Sequence, residues 1–582
     1  MYTQVFDPVG SSLGLSALVA VLPLLTIFIL LGVVKMKAQW AGLIALLVAI
    51  VVAVAVYGMP VGTTLSTAAE GAVFGVFPIM WIVVNAIWIY NMTVTTGHFD
   101  VLRRSFGTIS SDQRIQAVII AFCFGGLMEA LAGFGTPVAI SSVMLIALGF
   151  KPMKAATVAL VANTAPVAFG AIAVPITTLA KITNLPLDEL ASTVGRQTPV
   201  LALFVPLVLV FMVDGRRGLR EVWLPAVVGG VVFAIAQFAS SNYLSVELTD
   251  IIASLLAAFA IVALLRVWSP AHELTVESLS ESELSGRISS ATSAAHEAET
   301  GGRRRSAGTG GSVAATATGG SGPGAAPDGD GVHPTDSGRE IFKAYVPYLI
   351  IIVVFSLAQI KAIGNLLAKG GTKFTWPGID VLSPAGKPLS SQTFSFGFLG
   401  SAGTLLLIAG LLTMLALSLG PVPALRAYGV TLDQLKWAIL TVAAVLALAY
   451  VMNFSGQTIT IGQWMAGAGG FFAFLSPVLG WVGVAVTGSD TSSNALFGTL
   501  QVAAAKEAGL PEILLAAGNS SGGVLGKMIS PQNLAIAAAA TGMAGNEGEI
   551  FRKVFGWSVG FLLLMCVLVY LQSTPVLSWM LP

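Results

Sequence analysis

Charge is what this 582-residue sequence has least of: 29 Lys and Arg and 28 Asp and Glu, together 10% of the chain. A soluble domain carries about 25%, so the scarcity excludes an ordinary water-facing surface. A formal net charge of +1 offers nothing to nucleic acid or to an acidic partner. Cysteine is almost missing: Cys123 and Cys566 lie far apart in apolar runs, so neither a disulfide framework nor a thiolate metal site is expected, and both read as packing residues. No Gly-Lys-Ser/Thr phosphate loop occurs, and Gly133-Phe134-Gly135 follows no strand, so a nucleotide-driven pump and a dinucleotide site are both excluded. Neither a metal cluster nor a nucleophile–base triad is found; the expectation is no catalytic residue, no metal and no cofactor. Met1 to Ser12 lack the basic start of a cleaved leader, so the first apolar span is expected to stay in the chain.

What is present is apolar length. Hydrophobic residues make up 55% of the chain, in runs of roughly 18 to 25, enough for helices to cross about 30 Å of hydrocarbon. Closed barrels, the other spanning solution, need alternation over about 10 residues, and none is seen. The fold class is therefore an all-α polytopic membrane protein, with the lipid bilayer as its surroundings. Continuous spans are expected near 12–34, 40–59, 71–92, 197–213, 222–241, 248–268, 342–361, 396–419, 436–453 and 556–572. Four apolar stretches are interrupted: 115–149, 152–181, 464–506 and 511–541. Residues 269–338 change composition to Ser, Gly, Ala, Thr and Glu around Arg303 to Arg305; such a stretch cannot bury enough surface to offset chain entropy. It reads as a disordered linker between two membrane halves, 1–268 and 339–582. A loop at 362–395 with Trp376, Pro377, Pro384 and Pro388 is expected to hold some order.

Basic residues mark one side: Lys35 and Lys37; Arg103, Arg104 and Arg114; Lys151 and Lys154; Arg216, Arg217 and Arg220; Arg426 and Lys436; Arg552 and Lys553. The loops near 60–70, 242–247 and 454–463 hold no Lys or Arg. Placing every basic cluster in the cytoplasm puts the linker there and both termini outside. It requires twelve crossings, with 115–149 and 464–506 each entering and returning as a hairpin.

Those interrupted stretches resemble each other. GLMEALAGFGTPVAISS and VANTAPVAFGAIAVPITT stand in the first half, VGVAVTGSDTSSNALFG and AAGNSSGGVLGKMISPQN in the second. Gly133 and Thr136 match Gly488 and Thr491; Asn163, Gly170 and Pro175 match Asn519, Gly526 and Pro531, each set at equal spacing. Thr136 to Asn163 is 27 residues and Thr491 to Asn519 is 28. In the threading above, 152–181 and 511–541 cross in opposite directions. Inverted copies with Gly- and Pro-broken helices are the sequence mark of a secondary transporter, because freed backbone groups must line a cavity enclosed by protein or water.

Ionisable residues at membrane depth are functional by default. Glu129, Asp490 and Lys527 all fall in the paired stretches. Burial penalises the charged form of a carboxyl, which makes Asp490 and Glu129 the candidates for carrying a proton. Around them cluster Gly133, Gly135, Thr136, Asn163 and Thr164 in the first copy, and Ser489, Thr491, Ser492, Ser493, Asn494, Asn519 and Ser520 in the second. With Lys527, these form the expected anion site, since half-helix N-termini present free N–H groups and a positive dipole end. The competing reading is helix packing through small and polar side chains. A partnership between Lys527 and Asp490 is the structural alternative for that cation. His98 and Glu70, near span ends, read as solvated.

The blocks LMEALAGFGTPVAI, VANTAPVAFGAIAVPI, GSDTSSNALFG and GNSSGGVLGKMISPQN together resemble the L-lactate permease family, over nearly the whole length on both sides of the linker. The resemblance implies import of L-lactate with a proton, often with D-lactate and glycolate as further substrates, a bacterial plasma-membrane location and 12 to 14 helices. The 269–338 insertion is longer than the family leads one to expect. The resulting expectation is a proton-coupled carrier of 2-hydroxymonocarboxylates working by alternating access. Alternatives are a sodium- or proton-coupled dicarboxylate or gluconate carrier and, in another class, an intramembrane sensor or enzyme. Nothing in the sequence fixes the oligomeric state.

Overall fold

The computed structural model describes all residues except Lys35, Thr108, Ala132, Phe134, 275–335, Gln359, Ala385, Ser390, Ser391, Ala544 and Gly545. Among the described residues, nine helical stretches are long and apolar enough to cross a membrane, from Leu13–Leu31 to Glu547–Gln572. Shorter apolar helices include Pro152–Ala162, Gly170–Thr183, Thr249–Leu265 and Ala402–Ala416. Helix is the form that satisfies every backbone group within one segment in hydrocarbon. The expected disorder of 269–338 falls largely on 275–335, outside the described residues.

Two ends of the bundle are tied by different chemistry. At one end Arg114, 1% exposed, forms ion pairs with Asp112, Asp214 and Glu221 at 2.7, 3.0 and 2.6 Å. It also donates to the carbonyl of His272 at 2.6 Å. Gly215 and Val222 leave helical geometry, so Leu187–Ala239 is two helices that meet at this network. Arg104 holds Asp336 at 2.8 Å, and that guanidinium keeps the Asp336 carboxyl below its ordinary range. Both flanks of 275–335, His272 and Asp336, are therefore anchored to neighbouring parts of the 104–114 segment.

The opposite end carries the few strands. Tyr2–Thr3 pairs in parallel with Val381–Leu382, and Gly371–Thr375 pairs antiparallel with Thr393–Gly397. Tyr2 donates its hydroxyl to the carbonyls of Tyr57 and Ser455 at 3.1 and 2.9 Å. The 362–395 loop is thus ordered in part, as its Trp and Pro content suggested.

Three expectations need correction. The stretch 71–92 is not one uninterrupted span: Phe77 has extended geometry, φ −131 and ψ 121, between helices Val61–Phe74 and Trp81–Thr95. Pro78 denies the helix a donor and crowds the preceding turn, which accounts for the break. Glu70 is not solvated but 1% exposed, because its helix begins at Val61 and lies tightly on Pro421–Ser455. A Cβ on Gly71 would come 2.6 Å from the Leu446 carbonyl, so glycine is what permits that approach. Finally, neither 60–70 nor 454–463 is a loop: helix Val61–Phe74 occupies the first, and Gly456, at φ 96, turns the chain into helix Gln457–Met465. Cys123 and Cys566 are free and buried, in keeping with packing roles.

Candidate functional site

Each interrupted region folds as a helical hairpin followed by a broken helix. The first hairpin runs through Gly125–Leu131 and returns as Thr136–Ala147. The second runs down Phe472–Thr487 and returns as Asp490–Ala508. Gly133 and Gly488, matched by sequence, both take positive φ, 52 and 75, a region that costs other residues about 1–2 kcal/mol. Ser489 caps the second return helix by accepting from the Ser492 N–H at 3.2 Å.

The breaks that follow are also matched. A proline bars the carbonyl four residues earlier from regular helix, and Pro175 and Pro531 point this constraint at Ala171 and Lys527. Ala171, Ile172 and Ala173 form a left-handed turn, φ 45, 58 and 56. The equivalent three residues, Lys527–Ile529, form a 3-10 turn. Helix Pro531–Ala540 then restarts with Ser530 as its cap, which accepts from the Asn533 N–H at 3.4 Å.

The copies pack crosswise. The return helix of the first, Thr136–Ala147, lies on Pro531–Ala540 of the second, and Asp490–Ala508 of the second lies on Gly170–Thr183 of the first. Asn494 fixes the latter contact by donating its amide to the Pro175 carbonyl at 3.1 Å. Both tips meet the restarted helix: a Cβ on Gly135 would strike Ile536 and come 3.4 Å from Asn533 Oδ1, and one on Gly488 would strike Gln532.

Lys527 does not pair with Asp490, the partner considered from sequence. Its Nζ lies 2.5 Å from Glu129 Oε1, with the two side chains 9% and 4% exposed. The cation of one copy thus neutralises the carboxylate of the other, 398 residues away. Asn163 donates to the second oxygen, Oε2, at 3.2 Å. Gly170 leaves room for this carboxylate: a Cβ there would come 2.7 Å from Oε1. Asp490 belongs to a separate but adjoining network, within electrostatic reach of Lys527. Its Oδ2 accepts from Ser520 at 2.6 Å and from Asn494 at 3.3 Å. Asn519 donates to Asn494 at 2.9 Å and accepts from Gln501 at 3.2 Å. Asp490 Oδ1, buried, has no hydrogen-bond partner among the described residues.

The expected residues therefore divide into three groups, with Ser493 and Thr164 apart. Glu129, Asn163 and Lys527 meet directly; Asp490, Asn494, Asn519 and Ser520 form the second network. Gly133, Gly135, Thr136, Ser489, Thr491 and Ser492 shape the tips, where Thr136, Ser489 and Thr491 keep partial exposure. Ser493 is a packing residue, donating to the Gly480 carbonyl of its own hairpin at 3.2 Å. Thr164 is buried with a hydroxyl that has no partner among the described residues. Gln501, Gly170 and Gly523, where a Cβ would strike Asp490 Oδ1, went unnoticed as site residues. The interval Asn163 to Gly170, equal to Asn519 to Gly526, carried the signal for Gly170; Gln501 and Gly523 had none. Chemically the arrangement is a closed cation–carboxylate pair beside a second carboxyl, on half-helices in crosswise contact.

Comparison with known proteins gives a consistent picture. The family model described as L-lactate permease matches residues 16–576. The chain is 40% identical over 601 residues to the L-lactate permease of Bacillus subtilis (strain 168), covering 100% of both. It is 38% identical over 585 residues to "Glycolate permease GlcA" of Escherichia coli (strain K12), covering 98% of both. It is 37% identical over 594 residues to the L-lactate permease of the same strain, covering 100% of both.

Proposed function

This chain belongs to the L-lactate permease family, and from that premise we propose that it is a proton-coupled carrier importing L-lactate, with D-lactate and glycolate as further substrates, across a bacterial inner membrane by alternating access. The observation that carries the coupling is the Lys527–Glu129 pair at 2.5 Å. A proton arriving at Glu129 removes the negative charge that occupies Lys527. The ammonium is then available to the substrate carboxylate, supported by the Asn533–Ser530 end of helix Pro531–Ala540, whose dipole is positive there. Without substrate, the same proton would leave Lys527 as an uncompensated buried cation, a costly state. Proton and anion therefore favour each other's binding, which is the thermodynamic content of symport.

The reading of two inverted copies rests on their matched breaks and on the crosswise packing of Thr136–Ala147 on Pro531–Ala540 and Asp490–Ala508 on Gly170–Thr183. Exchange of equivalent contacts is what a two-fold relation in the membrane plane produces. Twelve crossings, two hairpins entering from opposite faces, both termini outside and the 269–338 linker in the cytoplasm complete the proposal. The hydroxyls of Ser489, Thr491 and Thr136 at the tips are suited to the substrate's 2-hydroxyl. Asp490, saturated on one oxygen by Ser520 and Asn494, holds the second copy together and remains the other candidate for the proton.

The test is uptake of labelled L-lactate into proteoliposomes under an imposed pH gradient and then a sodium gradient. The pH gradient is expected to drive accumulation and the sodium gradient to leave it unchanged; the reverse would favour the sodium-coupled alternative. Glu129→Gln is expected to abolish pH-driven accumulation while sparing exchange of lactate for lactate. If Asp490→Asn does this and Glu129→Gln does not, the proton belongs to Asp490. Single cysteines at Thr136 and Ser492, in a background lacking Cys123 and Cys566, are expected to react with an impermeant thiol reagent from opposite faces.

A further inference from the structure

A third buried carboxyl stands behind the pair. Asp250 is fully buried near the start of helix Thr249–Leu265. The other end of that helix leads to His272, beside Arg114, so Asp250 lies towards the strand-bearing end of the molecule. Its Oδ1 accepts from the Gln237 amide at 2.9 Å, and Gln237 in turn accepts from Thr198 at 3.2 Å and donates to the Ala165 carbonyl at 3.4 Å. Its Oδ2 is buried with no hydrogen-bond partner among the described residues, and so is the hydroxyl of Ser254, one turn further along.

Ser254 lies against the helix that carries Glu129. A Cβ on Gly126 would come 2.7 Å from Ser254 Oγ, and Glu129 follows Gly126 on the same short helix. The Glu129 carboxylate is within electrostatic reach of Asp250. From the Gln237 side, Ala165 is two residues from Asn163, which donates to Glu129. Among the described residues of the elements most closely packed against Thr249–Leu265, no cation pairs with Asp250; Arg196 of Leu187–Ala239 is taken up by Asn242 and the Met580 carbonyl. Gly125–Leu131 brings Glu129, Leu187–Ala239 brings neutral Gln237 and Thr198, Ala117–Phe124 carries only Cys123 as an ionisable group, and Ser240–Leu244 only exposed Tyr243.

Asp250 itself is closed off from solvent, but its chain neighbour borders open space. Glu247, three residues before it, lines a cavity of about 450 Å³ together with Lys181 and with Ser395 and Gly397 of the strand module. A buried carboxyl with a free oxygen, three residues from a cavity-lining carboxylate and near a second buried carboxyl, suits a proton relay at membrane depth.

We propose that Asp250 is a proton-binding site on the path from the strand-bearing end to Glu129, with the Ser254 hydroxyl between them. The proposal rests on the reading of proton-coupled transport. Asp250 takes a proton from water in the cavity beside Glu247. In the transfer, the O–H bond at Asp250 breaks and one forms at Glu129, returning Asp250 to carboxylate and leaving Lys527 for the substrate anion.

Asp250→Asn tests it, because the amide keeps the shape and the acceptor for Gln237 but cannot carry the proton. Purified full-length chain is reconstituted with a pH-sensitive dye inside the vesicles. Lactate-evoked proton entry, pH-driven accumulation and lactate–lactate exchange are then measured, with melting temperature alongside. For the unsubstituted chain, proton entry with lactate is expected; its absence would overturn the coupling reading and this proposal with it. Asp250→Asn is expected to lose proton entry and accumulation by about tenfold or more, a modest share of what a proton-transfer group contributes, with exchange and melting temperature retained. Asp250→Glu is expected to restore a large part. Coupled uptake by Asp250→Asn at the unsubstituted rate would overturn the proposal while leaving Glu129 in place. Loss of exchange together with a lowered melting temperature would assign Asp250 to structure.

Discussion

The two broken-helix regions share spacing, positive-φ tips and proline-set breaks, yet they are furnished differently. In the first, the turn Ala171–Ala173 is apolar and left-handed, and Glu129 receives a single amide, from Asn163. In the second, Lys527 stands at the equivalent break and Asp490 is held by Ser520 and Asn494, behind which Asn519 and Gln501 form a further layer. The scaffold is repeated; the charges are complementary. A carboxylate whose cation comes from the other copy is placed to change partners, whereas Asp490, held on one oxygen by a hydroxyl and an amide of its own copy, stays with that copy. On the proposed function, the difference separates a moving part from a strut.

The comparison breaks most directly at Lys527. Removing one member of a buried pair typically costs about 3–5 kcal/mol, because the other is left as an uncompensated charge. Lys527→Ala is therefore expected to lose stability on that scale in thermal unfolding and to lose lactate affinity. Lys527→Met combined with Glu129→Gln should recover most of the stability but none of the coupled uptake. Full stability in the single variant would mean that the pair is not closed in the resting protein.

The matched glycines should fail in different ways. A Cβ at Gly526 runs into the Trp481 carbonyl and comes 2.8 Å from the Ala485 nitrogen, both backbone, so Gly526→Ala is expected to cost about 1–3 kcal/mol by overpacking. At Gly170 the obstacle is the Glu129 side chain, which can turn aside. Gly170→Ala is expected to melt nearly normally yet slow pH-driven uptake. Equal melting temperatures for the two variants would remove the distinction between strut and moving part.

Smaller still is the contrast between the matched asparagines. Asn519→Ala deletes side-chain bonds to Asn494 and Gln501 and is expected to cost about 2 kcal/mol. Asn163→Ala deletes one bond to Glu129 but also a buried oxygen without a partner among the described residues, so about 1 kcal/mol or less is expected. A reversal in chemical or thermal unfolding would contradict the assignment of rigidity to the second copy. Deleting 280–330 should matter least: with His272 and Asp336 each anchored outside that interval, lactate uptake is expected to stay within about a factor of two, as for a surface insertion.

Much of this was legible in the chain. Apolar runs gave the helices, and Gly133, Gly488, Pro175 and Pro531 gave the tips and breaks, because those residues change backbone options locally. Glu129, Asp490 and Lys527 were legible as depth charges, since hydropathy exposes them. Their pairing was not: nothing local distinguishes a Lys527–Glu129 contact from a Lys527–Asp490 one. The burial of Glu70 was hidden for a similar reason, since it depends on where Val61–Phe74 begins and on a glycine contact with residue 446. Asp250 was passed over because a carboxylate at a span end reads as solvated until the neighbours that bury it are known.

The pairing of Tyr2–Thr3 with Val381–Leu382, and of the Tyr2 hydroxyl with the Ser455 carbonyl, imposes an order on biogenesis. Apart from the Tyr57 carbonyl, the partners of the second residue are made some 380 and 450 residues after it. At about 5–20 residues per second, the amino-terminal segment waits on the order of tens of seconds, exposed to proteases and chaperones, before its strand exists. Its docking is thus a late event that registers the insertion of both halves. Protection of the amino terminus from added protease, followed during synthesis into membranes, would serve as a clock for completed assembly.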